Sequence, residues 1–225
     1  MKKNKVLYVF VCLVLLISCS LKTNEEKARE LIEPDVKANL IKPESYEFAQ
    51  MQLDSCFTDN AECNPNAVEF SMKLAKLYKN YKEYMEEAEN AESEMSISMP
   101  SFGYYDSFSK QQYQKYKAEM EKSQRKAAST KEEILKLYKD NETMFQDINS
   151  GKHEFIGWRA IYSYRAETAG GLKTMGGAMF FLNKELTKIT HVFSEEDMML
   201  IQSAGIEDIQ YELGDELKEI FADNE

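Results

Sequence analysis

The chain has 225 residues, with 28 Lys plus Arg against 39 Asp plus Glu and a formal charge of −11. Hydrophobic residues at 43% and charged residues at 30% exclude a disordered chain. The acidic balance excludes nucleic acid as the main partner, because phosphate binding needs a net basic face. Nine Gly and four Pro exclude collagen-like and low-complexity classes.

Lys2, Lys3 and Lys5 precede an apolar run of 12 residues, Val6 to Ile17. A membrane span needs about 20, whereas 12 suits the apolar region of a signal peptide. The run closes on Leu16-Ile17-Ser18-Cys19, which resembles a bacterial lipobox. That resemblance implies a signal peptide over residues 1–18, cleavage before Cys19, diacylation of its sulfur, and acylation of the new amino terminus with palmitate-type chains. Each buried acyl CH₂ adds roughly 0.8 kcal/mol, so several chains hold a protein on its membrane. The mature chain would carry −14. Of the remaining cysteines, Cys12 leaves with the signal, and Cys56 and Cys63 stand seven apart. An exported chain meets an oxidising compartment, so a small disulfide loop between these two is expected, with two thiols as the alternative. A zinc site is disfavoured, since neither histidine lies nearby in sequence.

A helical stripe begins near Thr23 with Ala28, Leu31, Ile32, Val36, Leu40 and Ile41 on one face. Pro34 is a possible kink, and Lys42-Pro43 ends the helix. Tyr46 to Phe57 reads as a strand, with Tyr46 and Phe48 on one face and Met51 and Leu53 on the other unless a bulge intervenes. Asn64-Pro65 starts a helix, Asn as N-cap and Pro at the first position. Ala67, Phe70, Leu74, Leu77, Tyr81, Tyr84, Ala88, Ala91 and Met95 then form a heptad seam. A second seam runs from Tyr113 through Met120, Ser123, Ala127, Thr130, Ile134 and Leu137 to Ile148, with small residues in its middle. Pro100 and Gly103 separate the two, so residues 65–150 read as an antiparallel, coiled-coil-like helical hairpin. Intermolecular pairing is the alternative.

After Gly151 the period changes to two. His153 to Glu167 is a strand with Ile156, Trp158, Ala160, Tyr162 and Tyr164 on one face and Arg159, Ile161 and Arg165 on the other. Thr174–Asn183 and Leu186–Phe193 complete an antiparallel meander. Ser194 with Asp197 starts a helix to about Ser203, and Ile206, Ile209, Leu213, Leu217 and Ile220 suggest one more. The fold class is therefore α+β: an antiparallel sheet of about four strands with packing helices, formed by 19–64 and 151–225, and a long inserted helical hairpin over 65–150.

The lipobox joins Ile41-Lys42-Pro43-Glu44-Ser45-Tyr46-Glu47-Phe48, and Tyr164-Arg165-Ala166 before a glycine-rich turn and Phe180-Phe181-Leu182-Asn183. Together they resemble a group of small lipoproteins of the Bacteroidota. The resemblance implies an envelope location and no particular activity. The heptad segment stands as an insertion that the usual short members lack.

No residue pattern points to catalysis, a metal or a cofactor. Neither His153 nor His191 belongs to a His-Glu-x-x-His pattern, there is no Gly-x-Ser-x-Gly, and the paired glutamates sit on helices as solvated faces. Two surfaces stand out. One is the hairpin tip, Met99, Phe102, Tyr104, Tyr105 and Phe108, where exposed aromatics would contact a protein or glycan partner unless they cap the seam. The other is an anion candidate, Arg159 with Arg165, on the only net-positive segment of the mature chain. The expectation is an envelope-anchored binding or scaffolding module in the outer membrane. The alternatives are an accessory subunit binding a polysaccharide and a hydrolase with an unrecognised carboxylate site.

Overall fold

The computed structural model describes residues 22–99 and 107–204, together with Ile209, Leu213, Gly214 and Leu217. The signal segment and Cys19 lie outside the described residues. The chain divides into two compact units. One holds the described residues up to Cys56 with Phe155–Val192; the other holds those from Phe57 to Glu154 and from Phe193 onward.

In the first unit, helix α1 (Asn24–Ala38) opens with a capping box. The Glu26 N–H donates to Thr23 Oγ1 at 3.2 Å, and the Thr23 N–H to Glu26 Oε2 at 2.8 Å, so two otherwise orphaned donors are satisfied. Pro34 lies inside the helix. Ala28, Ile32 and Val36, at i, i+4 spacing, bury one stripe. Ile41, placed on that stripe by periodicity, is 72% exposed, because the helix stops at Ala38 and the chain turns through a 3₁₀ segment at Pro43–Ser45.

A four-stranded antiparallel meander follows, in the order β1 (Glu47–Phe57), β2 (Phe155–Glu167), β3 (Lys173–Leu182) and β4 (Ile189–Ser194). Strands β2 and β3 pair from Trp158 opposite Leu182 to Glu167 opposite Lys173. Ala160, Tyr162, Phe180 and Leu182 form the core with the α1 stripe. Tyr46, Phe48, Met51 and Leu53 all pack against this one core. Strict alternation therefore breaks between Phe48 and Met51, as a bulge requires. The last strand, β4, is expected from Leu186 and starts only at Ile189. Asn183 Oδ1 accepts the Thr187 and Lys188 N–H groups, which folds 183–188 into a turn; Leu186, at φ 55°, drops its side chain into the core.

Two glycines are required by close approach. At Gly157, φ is +151° and a Cβ would stand 2.4 Å from the Leu182 carbonyl oxygen. Gly176 sits opposite Tyr164, whose ring covers the space a side chain would fill.

The second unit is built on two long helices, α2 (Pro65–Ile97, 33 residues) and α3 (Ser107–Asp140, 34 residues), each about 50 Å long. Asn64 caps α2 by accepting the Asn66 N–H at 3.0 Å, with Pro65 at the first position. The expected second seam is cut at Asn141, whose Nδ2 donates to the Leu137 carbonyl at 2.7 Å. A separate helix α4 (Glu142–Asn149) follows. The interior of the pair changes along its length. Near the base, Phe70, Leu74, Tyr78, Ile134 and Tyr138 form a cluster of large side chains; further out, Ala88, Ala91, Ser123, Ala127 and Thr130 are the buried residues. Ser123 donates to Glu87 Oε2 at 2.9 Å and Thr130 to the Lys126 carbonyl at 2.9 Å, so both buried hydroxyls are satisfied.

Helix α5 (Glu195–Ser203) starts on a Ser194–Asp197 capping box and packs on α2, with Lys76 3.9 Å from Asp197. The terminal stripe was assigned with the sheet. Its described members Ile209, Leu213 and Leu217 instead complete the cluster of Phe70, Leu74 and Tyr78. Ile209 and Leu217 are helical and Leu213 lies in a bend, with the Leu213 N–H donating to the Ile209 carbonyl at 2.8 Å and the Leu217 N–H to the Leu213 carbonyl at 2.9 Å. Their packing accounts for the burial of Tyr78, which is off the two-helix seam.

Replacing Gly157 by Ala forces a Cβ against a backbone carbonyl in a glycine-favouring conformation. The variant should lose more than about 1 kcal/mol of unfolding free energy in urea, while Gly151→Ala, with open space around it, should lose less. Equal losses would show that the β2–β3 approach is looser than described.

Candidate functional site

The residues flanking 100–106 come from two helix ends. Helix α2 finishes at Ile97 and α3 begins at Ser107, which places Ile97, Met99 and Phe108 at the same end of the pair. All three are exposed, by 78%, 55% and 64%. Phe102, Tyr104 and Tyr105 lie outside the described residues. For Met99 and Phe108 the exposure argues against a capping role over the seam, where burial would be expected. Ile97 was not singled out from sequence, because it falls between the seam positions of a helix and reads as ordinary surface; only the position of the helix end makes it part of this patch.

Along the same pair run open grooves. One of about 470 Å³ is lined by residues including Glu87, Glu94, Glu119, Lys122, Ser123 and Lys126. Lys126 Nζ lies 4.5 Å from the Tyr84 ring centre and 3.9 Å from Glu87 Oε2. These contacts tie the two helices together with opposite charges and do not converge on a single point. Among the described residues no group of three or more His, Cys, Asp or Glu side chains is arranged to hold a metal ion.

The two arginines of the anion candidate are not brought together. Six residues apart on one strand, they are separated by about 20 Å. The Arg159 guanidinium lies 3.0 Å from Asp54 Oδ2, with its side chain largely buried. Asp54 also accepts two bonds from Gln52 Nε2, at 3.2 and 3.1 Å. The Gln52 bonds, and then Arg159, hold the Asp54 carboxyl below its usual range against the opposing effect of burial. Arg165 is exposed, with Nε 3.4 Å from the Met175 sulfur. Arg159 is therefore already neutralised within the sheet unit.

The two cysteines are each buried, and the expected disulfide between Cys56 and Cys63 is not formed in the structure. His153 stacks on Phe57 with ring centres 4.0 Å apart, and its Nδ1 lies 2.9 Å from Asp59 Oδ2. The Thr58 N–H donates to the Glu154 carbonyl at 3.0 Å, and the Glu154 N–H returns to Thr58 Oγ1 at 3.1 Å. This cluster clamps the two chain segments that lead into and out of the helical pair. His191 stands edge-on to Phe181 at 6.5 Å, as a half-buried residue of β4.

The fold is thus α+β with a long antiparallel helical pair between the first and second strands. Compared with known proteins, the chain matches no family model, no curated protein and no solved structure.

Asp54 and Glu33 both have carboxyls held low, Glu33 mainly by its bond from Lys37 at 2.7 Å. A carboxyl whose folded value lies below its unfolded one, about 4, stabilises the fold above that pH. The contribution is lost as pH falls through the folded value. Asp54→Asn should therefore cost about 0.5–1 kcal/mol at pH 7, and the gap to wild type should close below pH 4 in denaturant titrations. A gap that does not narrow as the pH is lowered from 4 to 2 would assign the loss to packing.

Proposed function

We propose that this chain is an envelope-anchored lipoprotein that acts as a binding or scaffolding module, with the end of its helical pair as the contact surface. The carrying observation is the exposure of Ile97, Met99 and Phe108 together at two adjoining helix ends. Large apolar side chains left in water at the end of a long helical pair gain by being covered. The anchor rests on the apolar run Val6–Ile17 and the Ser18-Cys19 junction. Acylation at Cys19 would start α1 only five residues from the membrane, a reach of at most about 18 Å. The sheet unit would then sit at the lipid surface as a short-tethered base. The likeness to small Bacteroidota lipoproteins supports an envelope location and leaves the inserted helices as the part specific to this chain.

Two measurements test this. Labelling cells with a palmitate analogue should mark the wild type and not Cys19→Ala. A photo-crosslinking residue at position 108 should give adducts that the same residue at Lys136, near the α3 base, does not. Equal crosslinking at both positions would remove the contact surface, and label on Cys19→Ala would remove the anchor.

A further inference from the structure

We propose that the outer half of the helical pair docks on a second copy of this chain, about a two-fold axis parallel to the helices. The acidic edge of α2 in each copy then lies along the basic edge of α3 in the other. This deepens the preceding reading, and it rests on it only for the location of the contact surface.

Two observations point to a second copy. The first is charge, counted over equal lengths at one level. Ser123 bonded to Glu87, and Lys126 over Tyr84, set residues 84–87 of α2 beside 123–126 of α3. Glu83–Ile97 therefore runs beside Tyr113–Ala127. The first stretch holds six glutamates and no basic residue; the second holds five basic residues and two acidic ones. Within one copy Lys126 reaches across to Glu87 at 3.9 Å, while Lys115 and Arg125 turn to Glu119 and Glu121 of their own helix. The second observation is the order of side chains on one side of the pair. Glu87 and Glu94 on α2 line the same groove as Lys122 and Lys126 on α3. Phe108, Lys115 and Lys122 follow at seven-residue steps, so they form one line on α3. Glu83, Glu87, Glu94 and Ile97, at steps of four, seven and three, form the matching line on α2. A two-fold axis parallel to the helices keeps each level and exchanges α2 for α3. Carboxylates of one copy then meet ammonium groups of the other, and Phe108 comes to the Ile97 and Met99 end of its partner. One chain thus supplies both halves of the match, as a closed two-fold contact requires. The face is two helices wide, about 20 Å, and about 30 Å long from Ser107 to Ala127. The resulting area, about 600 Å² on each copy, is at the lower limit of specific interfaces, so the dimer is a reversible one.

The test traps the dimer in cells that express two differently tagged full-length chains. A photo-crosslinking residue is placed at Asn90, an exposed neutral position of the groove, and as a control at Gln124, exposed on the other side of the seam. Position 90 should give adducts that join the two tags and map to Lys115–Lys122 of the other copy; position 124 should give at least about fivefold fewer. Glu83→Lys with Glu94→Lys turns the acidic edge basic, and Lys115→Glu with Lys122→Glu turns the basic edge acidic; all four positions are exposed. Each doubly substituted chain should lose its self-adduct at least about fivefold. Expressed together, the two should regain it to within about twofold of wild type, because each edge again meets its opposite. That recovery also shows that both variants fold. Absence of tag-to-tag adducts from position 90 in the wild type, or equal adducts from 90 and 124, would overturn the inference. So would self-adducts that survive both charge reversals, or a mixed pair that fails to recover although both variants accumulate as the wild type does. Crosslinks from position 108 to another protein or a glycan, with no tag-to-tag adducts from 90, would overturn it and leave the contact surface in place. No crosslinks from either position would remove both.

Discussion

Close backbone approach between α2 and α3 is the constraint on which the outer part of the helical pair depends. Two helices of more than thirty residues could remain together through a continuous seam of large apolar side chains. In this pair large side chains are fully buried only near the base, while further out Tyr84, Met95, Tyr116 and Met120 are half-buried. Further out the buried residues are Ala88, Ala91, Ser123, Ala127 and Thr130. Small side chains bury little area each, so their value lies in letting the helices come near enough for many backbone and Cβ contacts, individually weak and collectively large. Charged neighbours then reach across: Ser123 and Lys126 both engage Glu87, and Lys126 covers Tyr84. A seam of this kind holds direction without a thick core.

The base is built differently because a third helical element is available there. Phe70, Leu74 and Tyr78 on α2 and Ile134 and Tyr138 on α3 enclose Ile209, Leu213 and Leu217. Phe70 meets Tyr138 and Phe145 edge-on, at 5.1 and 5.0 Å. The sheet unit follows another logic again, with a buried polar contact at its centre. Tyr162 is fully buried and hydrogen-bonds the Tyr46 hydroxyl; burial, and then that bond, push its ionisation well above the usual tyrosine range. Arg29 over Phe48 and Lys37 over Tyr46, at 4.0 and 4.7 Å, lay the basic side of α1 across the aromatic start of β1.

What could be read from sequence is what is decided locally. Thr23 with Glu26, Asn64-Pro65, and Ser194 with Asp197 mark helix starts through bonds made within four residues, and each start lies where those bonds require. The period-two run from Phe155 placed Ala160 and Tyr162 in the core correctly. The misplacements share a cause, since each was settled by a partner distant in sequence or by a side-chain bond that competes with periodicity. Ile41 continued a helical stripe that had already ended. Asn141 occupied a seam position and used its amide to break the helix. Leu186 was apolar at a strand period, yet it belongs to a turn organised by Asn183. The small residues of the second seam read as weakness, because their complement, Ala88 and Ala91, lies on the other helix. The terminal stripe was assigned to the sheet because amphipathicity announces a partner without naming it. Of the candidate site, the aromatic tip was legible as a composition. Ile97 was not, and Arg159 was misleading until its pairing with Asp54 was seen.

A net charge of −11 describes none of the parts. The last 31 residues hold one basic and eleven acidic residues, and their apolar stripe packs at the base of the pair beside Leu74. From Leu74 to Ile97 the helix runs 23 residues, about 35 Å. At physiological ionic strength that is more than three screening lengths. The two ends of the pair are therefore separated beyond the reach of a screened surface charge, and the far end carries Glu87, Glu89, Glu92 and Glu94 on α2 against Lys110, Lys115 and Lys117 on α3. The outer seam maintains that separation with small buried residues set among half-buried Tyr84, Met95, Tyr116 and Met120. Length thus does the separating: the exposed Ile97, Met99 and Phe108 stand at one end of the pair, and the cluster around Leu74 stands at the other.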